Sequence, residues 1–229
     1  MSTKSGFKRQ LFTQFARVGK ALGHANRLEL LEFLAQGERG VEDLAGVTGL
    51  SVANTSQHLQ QLRQAGLVSA RKEGLNVYYS LSGADVQALF ESLRQVAERH
   101  IAEVGQLVAS YLYTKDSLEP LPREELVQRV RDNLVTVIDV RPALEYAAGH
   151  VPGAINIPLD ELEQQLSKID PQQEIVAYCR GPHCVLAFDA VARLRQHGLK
   201  ARRLADGYPE WKSAGLPVEG NKDGNKHRS

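Results

Sequence analysis

The sequence predicts two domains: a mainly α N-terminal half built on a winged helix-turn-helix, then an α/β half with a central parallel sheet. Three observations predict this. Apolar residues recur at helical spacing through residues 7–113, interrupted by one alternating stretch at 67–81. Two short β-branched runs, 135–140 and 174–178, are each followed by a polar turn and renewed helical periodicity, the pattern of βαβ units. Between them, residues 114–122 gather Thr, Lys, Asp, Ser and two prolines around Leu118 and Leu121. The boundaries read as 1–113 for the first domain, 114–121 for a linker, 122–218 for the second domain and 219–229 for a polar, disordered tail.

Composition narrows the function. The 229 residues are 42% apolar and 24% charged, which fits a globular chain. The net charge of +1 gives no global pull on a partner. Residues 1–82, however, hold ten Lys/Arg against six acids, a local excess that favours an anionic partner. No run of roughly 18 apolar residues could span a bilayer, and the N-terminus is too polar for a signal peptide. A cytoplasmic protein is therefore expected. Cys179 and Cys184 lie too close together to staple a fold, so they read as redox, metal or catalytic chemistry, or as inert.

In the N-terminal half, residues 26–36 carry the apolar stripe Leu28, Leu30, Leu31, Phe33 and Leu34, closed by Gly37 and Gly40. A short helix over 41–47 turns Leu44 and Val47 inward. Gly49 makes the turn, and Ser51 is placed to cap the next helix, 52–65. There Val52, Thr55, Leu59 and Leu62 face the core. The opposite face then presents Ala53, Asn54, Gln57, Gln60, Gln61 and Gln64, with Ser56 beside it. A face so rich in amides and poor in charge suits paired hydrogen bonds to adenine in a major groove; a merely solvated face is the alternative. The hairpin 67–81 follows, with Arg71, Lys72 and Asn76 around its tip, suited to phosphate or minor-groove contact. The helix at 84–113 repeats apolar residues near heptad spacing from Val86 to Tyr111, including Leu93 and Val104. That spacing suits pairing with a second copy, joined by Leu11, Phe15 and Val18.

The texts "ALGHANRLELLEFL", "DLAGVTGLSVANTSQHLQQLRQAGLV" and "RKEGLNVYYSL" resemble the ArsR-type winged-helix regulators over about a third of the chain. The resemblance implies a homodimer on a palindromic double-stranded DNA operator, commonly a repressor. The family often senses metal through cysteines before the recognition helix, but here that text is "GERGVEDLAG" and has none. A second family site on the helix after the wing retains only His100 and Glu103, with Gln87 and Leu89 at the other half. No metal site is assigned.

In the C-terminal half, a buried strand ends at Cys179, the loop Arg180-Gly181-Pro182-His183 follows, and helical periodicity resumes after Cys184. A cysteine between a strand end and a helix start meets converging amides and a positive helix dipole, which favour a thiolate or persulfide anion. Arg180 adds charge next door. A buried inert thiol describes Cys184 better than Cys179.

The ordered motifs "VIDVRPALEYAAGHVPGAINIPL", "IVAYCRGPHC" and "RRLADGYPEWKSAGLPV" resemble the rhodanese family over about 120–218. This resemblance assigns Cys179 the role of persulfide carrier in a loop of six residues. It also disfavours phosphate or arsenate chemistry, for which the related loops are longer and end in Arg. No cofactor is implied beyond a transient cysteine persulfide. Asp139 and Arg141 match the family's Asp-x-Arg, and Glu145 with His150 match its Glu-x-x-x-x-His. Asp139, Arg141 and Glu145 read as a scaffold beneath the loop. Gly207 and Trp211 match its closing turn, where Asp206 replaces a common Gly. Cys184 stands where Ser or Thr is frequent. A second thiol there could resolve a persulfide on Cys179, or simply be a small apolar residue. Two functions follow: a regulator whose C-terminal domain senses a small sulfur compound, or a sulfurtransferase with an autoregulatory DNA-binding domain.

Overall fold

A computed structural model of the chain describes residues 2–112 and 119–220. It divides into two compact units, Met1–Phe90 and Glu91–Ser229. The boundary falls well before the linker read from composition. Glu91 and Arg94 explain the difference, since their side chains hydrogen-bond Ser213 and Glu210 of the second unit.

The first unit runs α1 (Ser2–Leu22), α2 (Ala25–Gln36), β1 (Arg39–Gly40), α3 (Val41–Thr48), α4 (Val52–Gln64), β2 (Val68–Glu73) and β3 (Asn76–Leu81), and ends in the first turns of α5 (Ala84–His100). The start of α2 is fixed by His24, whose Nδ1 accepts the Asn26 N–H at 3.2 Å. Gly49, at φ 67°, takes the left-handed turn that ends α3. Ser51 then caps α4 by accepting the Asn54 N–H at 3.2 Å. Leu30, Leu31, Leu44, Leu59 and Leu62 are buried in one cluster with Val68 and Tyr79. Periodicity misplaces two residues: Val47 is 40% and Val52 50% exposed. Both sit at ends of short helices, beyond the reach of the shared core. The three strands pair antiparallel in the order β1-β3-β2, and Glu73 opposite Asn76 closes the hairpin over Gly74 and Leu75.

The long helix read over 84–113 is two helices, α5 and α6 (Ala102–Tyr111), parted at Ile101, which takes an extended conformation (φ −111°, ψ 103°). A β-branched residue four positions before Gly105 is a weak place to propagate a helix. Tyr113 lies outside the described residues.

The rest of the second unit contains α7 (Arg123–Arg131), β4 (Val135–Asp139), α8 (Ala143–Ala148), β5 (Ile155–Asn156), α9 (Leu162–Gln165), a 3₁₀ turn (Leu166–Lys168), β6 (Glu174–Tyr178), α10 (Val185–Gln196), β7 (Ala201–Arg203) and α11 (Tyr208–Ser213). The four strands are parallel in the order β5-β4-β6-β7. Alternation along β4 and β6 sends Ile138, Ile175 and Ala177 to one core, under α10. It sends Val137, Val176 and Tyr178 to the other, with Leu126 and Trp211. Leu121, read as linker, is fully buried and bridges Leu204 in parallel; its N–H donates to Arg203 O, extending the sheet edge. Glu219, read as tail, pairs antiparallel with His150; residues 221–229 lie outside the described residues. Among the described residues no helix is long and apolar enough to cross a membrane.

Candidate functional site

Chain reversal around β4 places β5 on one side and β6 on the other, and ligands of such sheets bind beyond the carboxyl ends of the strands. Cys179 follows β6 at that end. The loop returns through Arg180, Gly181, Pro182 and His183, closed by the Cys184 N–H donating to Gly181 O at 3.1 Å. Cys184 is the N-cap of α10, and its sulfur is joined to that of Cys179 in a disulfide. Exposure runs opposite to the sequence reading. Cys179 is 1% exposed because α10 covers the strand end, whereas Cys184 is half-buried at the helix N-terminus. The backbone N–H groups of Gly181, His183 and Val185 have no partner among the described residues. Backbone N–H groups left open at a helix N-terminus favour an anion.

Beneath the loop lies a buried polar layer. Asp139 and Arg141 are both fully buried and paired at 2.6 Å; Asp139 also accepts the Arg141 N–H and Nε–H. Arg141 donates onward to Gly149 O. Glu145, 1% exposed, receives both Nε–H and Nη2–H of Arg180. The Arg180 charge is therefore matched by a buried carboxylate.

Apart from Gly207, which the closing-turn motif marked, sequence reasoning missed the groups that lock this layer to the loop. The Tyr178 hydroxyl donates to Asp139 at 2.6 Å and accepts the Val151 N–H at 3.1 Å. Burial, then the neighbouring Asp139 charge, pushes the Tyr178 phenol well above its ordinary value. The Tyr208 N–H donates to Cys179 O at 3.0 Å. A Cβ on Gly207 would lie 2.3 Å from Gly181 N, so the turn before α11 needs glycine for close approach. Glu210 Oε2 accepts the Gly207 N–H and fixes that turn. Tyr178 could have been flagged by its place beside Cys179. Asp206 pairs with Arg123 at 3.3 Å, and burial raises its carboxyl. His183 is held low, chiefly by burial, with Arg94 and Arg203 adding to this and Glu98 opposing it.

On α4, Ala53, Asn54, Gln57 and Gln60 are exposed together. Three other side chains on or beside this face are engaged within the unit or partly covered. Ser51 is spent on its cap. Gln61 accepts a 2.6 Å hydrogen bond from Arg27 of α2. Ser56 is only half-exposed. In the hairpin, Arg71 is ion-paired with both Glu38 and Glu73 at 2.6 Å. Lys72 and Asn76 are exposed. Near the middle of α4, His58 packs its ring 4.6 Å from that of His24, and burial lowers its imidazole below the ordinary value. His100 is the exposed last residue of α5, and among the described residues no three His, Cys, Asp or Glu side chains converge on a metal-sized site.

A family model described as "Bacterial regulatory protein, arsR family" matches residues 24–70, and one described as "Rhodanese-like domain" matches 122–214. The chain is 47% identical over 219 residues to the HTH-type transcriptional regulator Rv0324 of Mycobacterium tuberculosis, covering 96% of each. It is 32% identical over 97 residues to a sulfurtransferase of Allochromatium vinosum, covering 42% of this chain and 89% of that protein. A homodimeric winged helix-turn-helix DNA-binding domain of Mycobacterium bovis, solved as fragment 1-100, is 46% identical. It covers 44% of this chain and 94% of that one at a TM-score of 0.41.

Proposed function

The chain belongs to the ArsR family of bacterial transcriptional regulators and carries a C-terminal rhodanese-like domain, and from this premise we propose that sulfur taken up at Cys179 sets its affinity for DNA. The observation that carries the reading is the two-cysteine loop at the carboxyl end of β6, in one chain with a recognition helix. The DNA reader is α4, through Asn54, Gln57 and Gln60, with Lys72 and Asn76 of the hairpin on the backbone. The operator is palindromic double-stranded DNA and the binding unit is a homodimer in the cytoplasm. Exposed Phe7, Phe12 and Phe15 on α1 and Val96, Leu107 and Tyr111 on α5 and α6 supply apolar surface for a second copy.

The chemistry starts from the reduced loop. The Cys179 thiolate attacks the sulfane sulfur of a donor such as thiosulfate. The donor's S–S bond breaks, sulfite leaves with the bonding pair, and Cys179 carries a persulfide anion. The loop amides of Gly181, His183 and Val185 stabilise that anion. The Cys184 thiol then attacks the inner sulfur, a new S–S bond forms between the two cysteines, and hydrosulfide departs. Charge and atoms balance without a further oxidant. Each product differs in loop charge and shape, the differential needed to shift an equilibrium between two states.

Mass spectrometry after exposure to thiosulfate or polysulfide tests the entry point. Cys184→Ser should gain one sulfur mass on Cys179, and Cys179→Ser should gain none; loading of Cys179→Ser at the wild-type level contradicts the assignment. The likeness to a sulfurtransferase supports a second reading, an enzyme carried alongside the DNA-binding domain. Sustained thiosulfate:cyanide turnover with no change in DNA affinity would favour it.

A further inference from the structure

The second unit holds a group of charged side chains that neither motif explains. Arg94 on α5 donates from Nη1 to Glu210 at 2.7 Å, and its Nε lies 3.3 Å from Glu98 one turn along the same helix. Glu210 is 7% exposed, and its other oxygen accepts the Gly207 N–H. Gly207 in turn abuts the backbone of Arg180 and Gly181. From the other side, Glu98 sits 3.5 Å from His183 Nδ1. A Cβ built on Gly181 would lie 3.6 Å from Arg94 Nη1 and 3.7 Å from Glu210. The loop between the cysteines is thus touched at Gly181 and His183 by one arginine and two carboxylates.

We propose that Arg94 and Glu98 of α5 are positioning residues that clasp the Cys179–Cys184 loop and read whether it is bridged or open. This rests on the regulator reading above and names the element through which the loop state leaves the site. The physical reason is charge. In the bridged loop neither sulfur is ionised, and Arg94 is shared between Glu98 and Glu210. Opening the bridge with a dithiol transfers two electrons and two protons, giving two thiols and the donor's disulfide; ionisation of one thiol then puts a thiolate in the loop that Arg94 approaches at Gly181, and a sulfane-sulfur donor such as thiosulfate converts that thiolate to a persulfide anion with loss of sulfite. A third anion competes for the same guanidinium, so the two carboxylate contacts cannot both keep their strength. α5 is one continuous helix from Ala84, the residue that follows the wing and its short turn, to His100. A change in the Arg94 and Glu98 contacts therefore acts on the helix whose first turns belong to the winged unit.

Coupling is reciprocal. If the clasp favours one loop state over the other by some factor, removing the clasp shifts the loop's own redox equilibrium by that factor. The experiment uses the full chain as wild type, Arg94→Ala, Arg94→Lys and Glu98→Gln. The thiol–disulfide midpoint of the loop is read by mass after trapping in dithiothreitol buffers. Affinity of the bridged and opened forms is read on a DNA fragment selected by the wild type. The expected result is a tenfold shift in the loop equilibrium for Arg94→Ala, about 30 mV for two electrons. A smaller shift is expected for Glu98→Gln and partial rescue by Arg94→Lys. The ratio of the two DNA affinities should fall toward one in Arg94→Ala. An unchanged midpoint in Arg94→Ala and Glu98→Gln overturns the clasp, even if the wild type responds to its loop on DNA. A shifted midpoint with equal DNA affinities in the wild type upholds the clasp on the loop and overturns the regulator reading instead. Should Arg94→Ala not fold, Arg94→Lys and Glu98→Gln decide by the same midpoint.

Discussion

Gly207→Ala is a purely steric perturbation of the sulfur loop. The backbone at Gly207 is extended (φ −107°), so alanine carries no conformational penalty there. Its Cβ would lie 2.3 Å from Gly181 N, 2.4 Å from Arg180 C and 2.5 Å from Gly181 Cα. All three are backbone atoms, which cannot rotate away. Restoring ordinary contact needs a separation larger by about 1 Å. Overpacking of this kind costs about 1–3 kcal/mol, or several degrees in the melting temperature of a domain this size. The displacement falls on the two residues after Cys179 and pulls at the Tyr208 N–H bond to Cys179 O. Misplacing a reacting group by about 1 Å costs on the order of 100-fold in rate. Calorimetry and the rate of sulfur loading, followed by mass, would read both effects. Wild-type melting together with wild-type loading would show that the loop is not held by this contact, and the packing argument would fail.

Three further outcomes follow from the same reasoning. Asp139→Asn leaves the Arg141 charge buried against a neutral amide and should cost about 3–5 kcal/mol in denaturant unfolding of the second unit; a loss under 1 kcal/mol would show the pair to be dispensable. Replacing Asn54 and Gln57 with Ala should relax sequence choice by about 1–3 kcal/mol per lost base contact, read by competition between matched and mismatched DNA; undiminished discrimination would remove α4 from the interface. The His58 imidazole is lowered by burial, then by His24 and Arg27, from its ordinary value of 6.5. The unfolded chain binds that proton more readily, so the first unit should lose stability as pH falls through about 6.5 toward the lower folded value. His58→Gln should flatten that slope, and an unaltered slope would assign it elsewhere.

What the sequence made legible was local. The strands β4 and β6 announced themselves through β-branched runs, and Cys179 fell at a strand end because Arg180, Gly181 and Pro182 could not extend it. The exposed amide face of α4 followed from period alone, since Thr55, Leu59 and Leu62 fixed the opposite side. The failures are of two kinds. End effects misled the period: Val47, Val52 and Ile101 lie where a helix leaves its core or breaks, and an apolar pattern carries no information about that. Long-range pairing was invisible. Nothing near Gln61 hints that Arg27 occupies its amide, nor near Arg71 that Glu38 holds it. Arg94 and Glu210 are 116 residues apart. The relative burial of the two cysteines was also a tertiary fact, set by α10 lying over the end of β6.

In the proposed function a sulfur signal enters at Cys179 and leaves as a change in DNA affinity. The measurement that tests it most directly is the affinity of the full chain for its selected DNA before and after a polysulfide donor, with Cys179→Ser alongside. A response tenfold or larger in the wild type, absent in a Cys179→Ser variant that binds DNA normally without donor, is the predicted result. A wild type that loads sulfur on Cys179 and keeps its DNA affinity would contradict the account.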